Sequence, residues 1–407
     1  MRILFVNHTS AWSGAEVMLM RLIEKLRGDH EVCVACPPDG PLAEAIARAR
    51  IQHATLPEVS ISTRLHPLQT PFGLVQLGAA GVGIAQAIRR QEPDVIHANS
   101  LRAGLITAPA TLAGSPPVVV RMHDRLVLTP LGRGVRAIIT HSAAAVAAVS
   151  DYTARRFNQG LARPVATRVY NGIDHDRFDP RRVQPAPVRD ELGLSPDAFL
   201  LGQVAQITPW KGQDTAIRAL ARLCREGLDA HLLLVGGVAF AGKAVRYDNR
   251  SFLRALGRLV DELGVRRAVH FLGQRDDVPE LLRALDLSIL PSLDEPFGLV
   301  TVESMALGTP PLVSFTGAGP EVVQDKVSGR LLDPRRPEAW AQAAGELQAD
   351  PAARELMGER ARAAASGFSE EVYAREMVAV YAGALRLGRG ASAARPGKPN
   401  GVAAWPG

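Results

Sequence analysis

Cysteine is scarce in this chain, with three among 407 residues. Three cysteines cannot all pair within one molecule, which disfavours the disulfide-rich secreted class and makes a reducing compartment the simpler expectation. Cys33 and Cys36 have the spacing of a redox or zinc site, but both lie in a strand-like run. Residues three apart on a strand face opposite sides of the sheet. We therefore predict that both thiols are structural and share no metal.

Long apolar runs are also scarce. Residues 1–7 form a short apolar run that lacks a cleavage-like site and leads into a glycine turn, which predicts a buried strand rather than a signal peptide. Residues 71–88 are uncharged over the length of a membrane span, but their glycines and glutamines fit a core helix better. We expect a cytoplasmic protein and leave open a peripheral association with the inner face of the membrane.

No block of like charges interrupts the sequence, although lysine plus arginine exceed aspartate plus glutamate by 47 to 41. A basic excess that is modest and dispersed disfavours a nucleic-acid partner, because such proteins concentrate their cations in a stripe or a known module. The chain is 47% hydrophobic and 22% charged, which is typical of a globular protein. Its length allows two separate cores, and its composition favours no particular oligomeric state.

Strand-like and helix-like segments alternate along most of the chain. This alternation is typical of an α/β fold with parallel sheets covered on both faces. Four prolines between residues 178 and 196 interrupt it and predict a linker. The predicted strands are 2–6, 31–36, 51–56, 94–97, 117–122, 146–149 and 166–170 before the linker, and 199–206, 231–235, 268–272, 287–290 and 311–315 after it.

The rhythm predicts two doubly wound, Rossmann-like domains that face each other across a cleft. The first domain covers residues 1–180 and the second covers 190–368. A last helix is expected over 369–387. Residues 388–407 are rich in Gly, Pro, Ala and Ser, and we expect a disordered tail.

Two glutamates eight positions apart, Glu295 and Glu303, frame the segment Glu-Pro-Phe-Gly-Leu-Val-Thr-Val-Glu. A strand-like run precedes it and a helix-like pattern follows, which places it at the sheet edge where α/β proteins bind ligands. The backbone N–H groups of Gly298, Leu299 and Val300 would open the helix with donors suited to a diphosphate. Carboxylates only accept hydrogen bonds, so the glutamates suit the hydroxyls of a hexose and a ribose. The pattern indicates a sugar nucleotide.

The same segment resembles the signature of glycosyltransferase family 4, the retaining enzymes with the GT-B fold of two facing Rossmann-like domains. The resemblance covers most of the chain. It implies that the first domain binds a hydroxyl acceptor and that the second binds a nucleoside-diphosphate sugar, UDP- or GDP-linked, with no other cofactor. It also implies that the last helix crosses back to brace the first domain. Acceptor contacts are expected from variable loops that include 60–70 and 125–136.

The second domain matches further family elements. Lys211 follows Gln206 in the segment Ala-Gln-Ile-Thr-Pro-Trp-Lys-Gly. The family usually has arginine where Gln206 stands, with both cations on the donor diphosphate, so this chain keeps one cation and a neutral hydrogen-bonding group. Gly273 and Arg275 match the loop that contacts the base. Glu321 ends a segment similar to the family's Gly-Gly-x-x-Glu turn near the donor sugar.

The first domain contains the candidate residues for the other side of the active-site cleft. Gly14 lies in the loop after the first strand, which lacks the Gly-x-Gly-x-x-Gly of a dinucleotide site and so disfavours a nicotinamide enzyme. In the family this loop closes over the donor phosphate. His123 ends the segment Val-Val-Val-Arg-Met-His, and the resemblance makes it, with Glu295, the candidate catalytic contact. His97 ends another strand at the same edge and is a weaker candidate. Asn171 begins a turn that we interpret as structural support between the domains.

The glutamate and lysine segments contain no Asp-x-Asp pair or His/Asp cluster with metal-ligand spacing, and we expect no metal. Backbone donors, helix N-termini and Lys211 would stabilise the departing diphosphate. The family retains anomeric configuration, most simply by front-face attack. Alternatives are a nucleotide-sugar epimerase or a glycoside phosphorylase on the same fold, or a non-catalytic nucleotide-sugar-binding protein, which the glutamine at position 206 favours.

Overall fold

Two parallel β-sheets with helices on both faces form the computed structural model, which describes residues 1–59, 69–112, 115–238 and 248–393. Residues 60–68, within one of the expected acceptor loops, lie outside these ranges. The first sheet falls within the predicted range 1–180 and the second within 190–368.

In the described ranges the first sheet has seven strands. They are β1 (Arg2–Val6), β2 (Glu31–Cys36), β3 (Gln52–Thr55), β4 (Val95–Ala98), β5 (Val118–Met122), β6 (Ala145–Ala148) and β7 (Ala166–Arg168). The helices between them are α1 (Gly14–Leu26), α2 (Pro41–Arg48), α3 (Gln69–Gln91), α4 (Leu101–Leu112), α5 (Pro130–Ser142) and α6 (Asp151–Asn158). The order β3-β2-β1-β4-β5-β6-β7 reverses direction between β1 and β4. In doubly wound sheets this switch point opens the crevice that binds ligands.

The second sheet has six strands in the part of the chain that the structure describes. They are β8 (Phe199–Val204), β9 (Ala230–Val235), β10 (Val269–Gly273), β11 (Leu287–Leu290), β12 (Pro311–Ser314) and β13 (Arg330–Leu332). The accompanying helices are α7 (Val188–Glu191), α8 (Gln213–Arg225), α9 (Asn249–Glu262), α10 (Val278–Ala284), α11 (Leu299–Ala306), α12 (Gly319–Val322), α13 (Pro337–Ala349) and α14 (Pro351–Ala365). The order β10-β9-β8-β11-β12-β13 places its switch point between β8 and β11.

Both faces of the first sheet are buried. Successive residues of a strand point to opposite faces, so they pack in different hydrophobic clusters. Phe5 packs in one hydrophobic cluster and Leu4 packs in the other. Cys36 and Cys33 divide between the same two clusters, which confirms that they face opposite sides. Burial raises the pKa of the Cys33 thiol to about 11 and that of Cys36 to about 12. Both thiols are therefore protonated core side chains at neutral pH.

The segment between the sheets is packed rather than free. Phe178, Val183 and Ala186 are buried in a core cluster of the second sheet, and Val188 at the start of α7 joins them. The four prolines of the predicted linker correctly mark the break in the strand–helix rhythm. The prolines alone give no indication that the apolar residues between them pack against the second domain.

A final helix, α15 (Glu370–Ala393), lies against the first sheet. Tyr373, Met377 and Tyr381 are buried in the cluster that contains Phe5. The helix therefore returns from the second domain to the first, as the family resemblance implies. It continues past the expected end at residue 387, and the rest of the expected tail, 394–407, lies outside the described residues.

Residues 71–88 belong to α3, whose Ala80, Ile84 and Ala87 are buried. This confirms the prediction of a core helix. Across the described ranges, every helix is too short or too polar to cross a bilayer.

Three strand predictions needed correction. Strand β7 ends at Arg168, before the predicted end at residue 170, because its pairing with β6 ends there. Strand β13 was not predicted, because its three residues are too few to establish a pattern and only pairing with β12 defines it. Strand β8 ends at Val204, before the predicted end at residue 206. There the chain turns away from the sheet, and the Ile207 N–H donates to the carbonyl of Gly237.

Candidate active site

Lys211 and Glu295 meet directly at the switch point of the second sheet. Glu295 lies between β11 and α11, and Lys211 lies in the loop after β8. Lys211 Nζ is 2.7 Å from Glu295 Oε2, and the Ser292 hydroxyl donates to the same oxygen at 2.9 Å. The Lys211 ammonium also lies 4.2 Å from the centre of the Trp210 ring. The structure thus brings together the two side chains predicted to bind the diphosphate and the hexose.

The Glu295 backbone is held by a glycine turn. The Ala318 N–H donates to the Glu295 carbonyl at 2.8 Å. Gly317 has φ +76°, and a Cβ there would lie 2.3 Å from the same carbonyl oxygen. Only glycine combines this left-handed backbone with so close an approach. The turn that resembles the family's Gly-Gly-x-x-Glu element therefore supports Glu295 through the backbone.

Helix α11 begins next to this carboxylate. Gly298 precedes it with φ +86°, and a Cβ at Gly298 would lie 3.4 Å from Glu295 Cγ. The next two residues, Leu299 and Val300, open the helix, where backbone N–H groups have no acceptor within the helix. The Leu299 side chain packs against core clusters of both domains. The predicted diphosphate donors therefore lie where the two domains meet.

Glu303 is buried on α11 and faces the first domain. Its carboxylate lies 3.7 Å from Arg21 of α1, and Arg21 lies 3.4 Å from Glu370 of α15. Burial raises the pKa of Glu303, while the Arg21 charge acts in the opposite direction. A ribose bound by Glu303 would compete with Arg21 for this carboxylate. The ribose role stays a prediction.

The loop that carries Gln206 and Lys211 is hydrogen-bonded to neighbouring side chains and packs closely on the backbone of the second domain. Gln213 Nε2 donates to the Gln206 carbonyl at 2.8 Å, and Gln203 Nε2 donates to the Lys211 carbonyl at 2.7 Å. Gly212 has φ +71°, and a Cβ there would lie 2.1 Å from the carbonyl oxygen of Pro291. These contacts hold the backbone of the loop in place. They involve backbone carbonyls and do not depend on the charge of residue 206, and Lys211 extends from this fixed backbone.

The loop predicted to contact the base, which contains Gly273 and Arg275, makes contacts within the second domain. The carbonyl of Gly273 accepts from the Gly236 N–H at 2.7 Å. Arg275 is paired with Asp277 at 2.6 Å and with Glu191 at 3.2 Å. These pairs use three of the five N–H groups of Arg275, so carboxylates already hold its side chain before any nucleobase binds. The geometry therefore leaves Gly273 as the better base-binding candidate of the two, and both assignments stay predictions.

On the other side of the cleft, Gly14 begins α1, and a Cβ added there would meet no atom within 4 Å. His123 follows β5, is half-buried, and has its Nε2 at 3.1 Å from Asn99 Oδ1. Burial, reinforced by the Arg121 charge and by His97, holds the pKa of His123 well below its ordinary value. His123 is therefore a neutral imidazole at pH 7. His97 is fully buried and bonded to Tyr381, which removes it from direct contact with a substrate.

Asp124 shows that the two halves of the site face each other. Asp124 follows His123 after β5, and desolvation by the surrounding protein raises the pKa of its carboxyl although part of the residue is exposed. Glu295 and Asp294 of the second domain act in the same direction, while Arg102 and Lys211 oppose it. Arg125, the residue after Asp124, lies 2.6 Å from Asp294, the residue before Glu295, so this strand end lies opposite the Lys211–Glu295 pair. A ligand between them would contact both domains.

Direct contacts between the domains flank this cleft, and the sequence did not predict them. Asp294 lies 2.6 Å from Arg125 and accepts from the Tyr152 hydroxyl at 2.7 Å. Glu321 accepts from the backbone N–H groups of Asp151 at 2.7 Å and Tyr152 at 2.6 Å. Glu321 therefore caps the N-terminus of α6, where a negative charge is favourable. In this structure its carboxylate joins the domains. Its expected place near the donor sugar stays a prediction.

Asp174 and Asp176 form an Asp-x-Asp pair in the turn between the domains. Asp174 Oδ1 accepts from the backbone N–H groups of Asp176 and Arg177 at 2.9 and 3.1 Å. Such a side-chain-to-backbone arrangement is typical of an Asx turn. This pair therefore supports the turn that begins at Asn171, as the sequence indicated for that segment.

We expect Glu321→Gln to open the cleft. The change removes the negative charge at the N-terminus of α6, and hydrogen bonds to a charged group contribute about 1.5–3 kcal/mol. Small-angle X-ray scattering should show a larger radius of gyration. Glu338→Gln, at an exposed position in the first turn of α13, is the matched control and should leave the radius unchanged. Identical scattering from Glu321→Gln and the unaltered protein would show that this contact does not hold the domains together.

Comparison with known proteins places the chain in a family. Residues 12–177 match the family described as Glycosyltransferase Family 4, and residues 187–364 match Glycosyl transferases group 1. A D-inositol 3-phosphate glycosyltransferase of Actinosynnema mirum is 31% identical over 330 residues, which are 75% of this chain and 77% of that protein. The chain belongs to glycosyltransferase family 4.

Other relatives of this family 4 chain match it over different lengths. A D-inositol 3-phosphate glycosyltransferase of Mycolicibacterium gilvum is 39% identical over 186 residues, which are 45% of this chain. The chain spans only 39% of that relative's length. The crystal structure of Anabaena Alr3699/HepE in complex with UDP-glucose has a TM-score of 0.79 at 26% identity, and the match covers 94% of this chain and 99% of that one. The prediction of a GT-B fold is confirmed.

Proposed function

We propose that this family 4 protein transfers a hexose-type sugar from a nucleoside-diphosphate sugar to a hydroxyl acceptor, with retention of configuration and without a metal. The observation that carries the proposal is the Lys211–Glu295 pair at 2.7 Å, which the Asp294–Arg125 contact of 2.6 Å places across the cleft from the strand end that bears His123. A cation, helix N-terminal donors and two carboxylates suit the diphosphate and hydroxyls of a sugar nucleotide. The UDP-glucose complex of the Anabaena protein supports UDP as the first nucleotide to test.

In the proposed reaction each residue has a separate task. Lys211 and the N–H groups of Gly298, Leu299 and Val300 bind the diphosphate and stabilise its charge as it leaves. Glu295 orients the hexose hydroxyls. The anomeric C–O bond to the diphosphate breaks while the acceptor oxygen bonds to the same carbon on the same face. The acceptor proton passes to the leaving phosphate oxygen, so the protein needs no general base.

The acceptor binds on the first-domain side of the cleft, near His123. Neutral His123 can exchange hydrogen bonds with acceptor or sugar hydroxyls without adding a charge. The relatives named as D-inositol 3-phosphate glycosyltransferases make a phosphorylated polyol the first acceptor to test. Arg102 acts electrostatically on Asp124 at the same cleft wall and supplies positive charge for such an acceptor. Glycans and glycolipids are the other acceptors to screen.

We propose a cytoplasmic location, which the three free thiols of the described chain support. Contact with the inner face of the membrane stays a prediction. Leu131, Arg133 and Ile138 are exposed on α5, and this mixture of apolar and basic side chains suits an anionic bilayer. Sedimentation with anionic and neutral vesicles measures this directly, and absence from both pellets would contradict it.

Nucleotide binding is tested by thermal stabilisation with UDP, GDP, ADP and TDP. A ligand that binds only the folded protein adds about 2.7 kcal/mol at 100 times its Kd, which raises the Tm. We expect a rise with one nucleotide and its loss in Glu303→Ala. Because Glu303 also contacts Arg21, the nucleotide-induced shift within each variant is compared, and Glu338→Ala serves as control. A full shift in Glu303→Ala would refute the ribose assignment.

Product analysis separates transfer from its alternatives. An epimerase converts the donor alone, and a phosphorylase requires inorganic phosphate. A non-catalytic binding protein gives a thermal shift without any product. The neutral Gln206 favours this last alternative, whereas the Lys211–Glu295 pair at the cleft favours an enzyme. The transfer assay is run in EDTA, and product formed there would support a metal-independent reaction.

A further inference from the structure

A continuous set of hydrogen bonds joins helix α15 to the cleft. Tyr381 Oη lies 2.7 Å from His97 Nδ1, and His97 Nε2 lies 3.4 Å from Asn99 Oδ1. Asn99 Oδ1 also lies 3.1 Å from His123 Nε2. Tyr381 and His97 are fully buried, and Asn99 is 1% exposed. Solvent therefore cannot readily replace a lost partner within this set.

The orientation of the Asn99 amide is determined by its other contacts. Asn99 Nδ2 lies 3.4 Å from the carbonyl oxygen of Ala15 and 3.1 Å from Asn7 Oδ1. A backbone carbonyl only accepts hydrogen bonds, so the end of the amide that faces Ala15 is its NH₂ group. Asn7 uses its own NH₂ group on the carbonyl of Thr9 and on Glu16, which leaves its Oδ1 to accept from Asn99. Asn99 Oδ1 must therefore be the atom that faces both histidines.

The tautomers of the two histidines follow. An amide oxygen cannot donate, so each histidine donates to it through an Nε2–H. His97 Nδ1 then carries the lone pair, and it accepts from the Tyr381 hydroxyl. Every donor along the set has an acceptor under this assignment. In the same way, His123 carries its proton on Nε2 and its lone pair on Nδ1. The His123 ring is half-buried at the cleft.

We propose that Asn99 is a positioning residue that holds His123 as the neutral Nε2–H tautomer, and that Tyr381 of α15 orients Asn99 through His97. His123 Nδ1 then accepts a hydrogen bond from a hydroxyl of the acceptor or of the transferred sugar. The role in transfer rests on the function proposed above, whereas the tautomer does not. The crossing helix thereby acts on the active site as well as on the fold.

The tautomer is measured directly by NMR of the protein with ¹⁵N-labelled histidine rings. The chain has 10 histidines, and His123→Gln identifies the signal of interest. We expect the two-bond pattern of an Nε2–H imidazole at neutral pH. In Asn99→Leu, which removes the acceptor at similar size, we expect that signal to change to mixed or Nδ1–H character. An Nδ1–H pattern in the unaltered protein overturns the proposal.

The connection to α15 is tested by removing one hydroxyl. Tyr381→Phe keeps the ring but deletes the donor to His97, and we expect kcat to fall about fivefold, the effect of one hydrogen bond. The KM for the donor should change less than about twofold, since the nucleotide contacts are elsewhere. Asn99→Leu should reduce kcat about 100-fold, because small misplacements of a contact group have effects of this size.

Tyr373→Phe is the matched control, because Tyr373 is equally buried on the same helix but contacts Arg121 instead of His97. It should leave kcat within about twofold of the unaltered protein. Equal kcat values for Tyr381→Phe and Tyr373→Phe would contradict the proposed connection. If no nucleotide binds and no transfer occurs, the function proposed above fails, while the NMR result still decides the tautomer.

Discussion

Glu295→Ala is expected to reduce sugar transfer by about 100- to 1,000-fold, the range seen when one fixed polar contact to a transition state is removed. Nucleotide binding should survive. Lys211 Nζ lies 2.7 Å from Glu295, so removing the carboxylate frees the lysine for the diphosphate. The expected result is therefore a loss of kcat with an unchanged or smaller Kd for the nucleotide. Steady-state kinetics and calorimetric titration measure the two quantities separately.

Ser292→Ala is the control for this variant. It removes the hydrogen bond that the Ser292 hydroxyl donates to Glu295 at 2.9 Å but keeps the carboxylate and its pairing with Lys211. We expect a loss of kcat of about fivefold, as for one hydrogen bond. Strong residual transfer by Glu295→Ala would show that another group orients the hexose. Loss of both binding and transfer would show instead that the Glu295 carboxylate is needed to hold Lys211 in place for the diphosphate.

Arg121→Ala is expected to destabilise the first domain by about 3–5 kcal/mol, as for a large buried side chain cut to alanine that also leaves buried acceptors without a donor. Arg121 is fully buried and donates to the Val169 carbonyl and to Asn171 Oδ1, each at 2.7 Å. Its guanidinium carbon lies 5.0 Å from the centre of the Tyr373 ring on α15. The alanine variant removes the donor from these buried acceptors and leaves a cavity beneath the crossing helix.

Urea titration followed by circular dichroism measures the free energy of unfolding. Arg181→Ala is the control, since the Arg181 side chain is 82% exposed and its pairing with Asp179 is screened by solvent. It should be indistinguishable from the unaltered protein. An Arg121→Ala protein of undiminished stability would mean that apolar packing alone holds α15 on the first domain.

Much of the fold was predictable because strands are local features. The parallel strands are buried on both faces, so each is a short apolar run that is visible without knowledge of its neighbours. The switch points of both sheets then follow from the α/β rhythm and bring Gly14, Lys211 and Glu295 to the cleft. Strand β13 escaped prediction because its pairing with β12, and not its own sequence, makes it a strand.

The candidate site was predictable only in part. The glutamate segment has a dense pattern of glycine, proline and spaced carboxylates, so its position at a strand end could be predicted. Arg125, Tyr152 and Asp294 have no such pattern, and they meet only because the domains approach each other. For Arg275 the sequence predicted the position but not the contacts. The residue matches the family's base loop, but its side chain is paired with Asp277 and Glu191.

By itself, the sequence determined the two sheets, the family and the strand ends that bear the candidate residues, because these depend on local periodicity and on motifs of adjacent residues. Only the tertiary structure decided which side chains pair. Glu303 meets Arg21, Glu321 caps α6, and Asn99 lies between two histidines and a helix from the far end of the chain. The physical reason is that hydrogen bonds and ion pairs act over a few ångströms in space, whereas a sequence pattern records only distance along the chain.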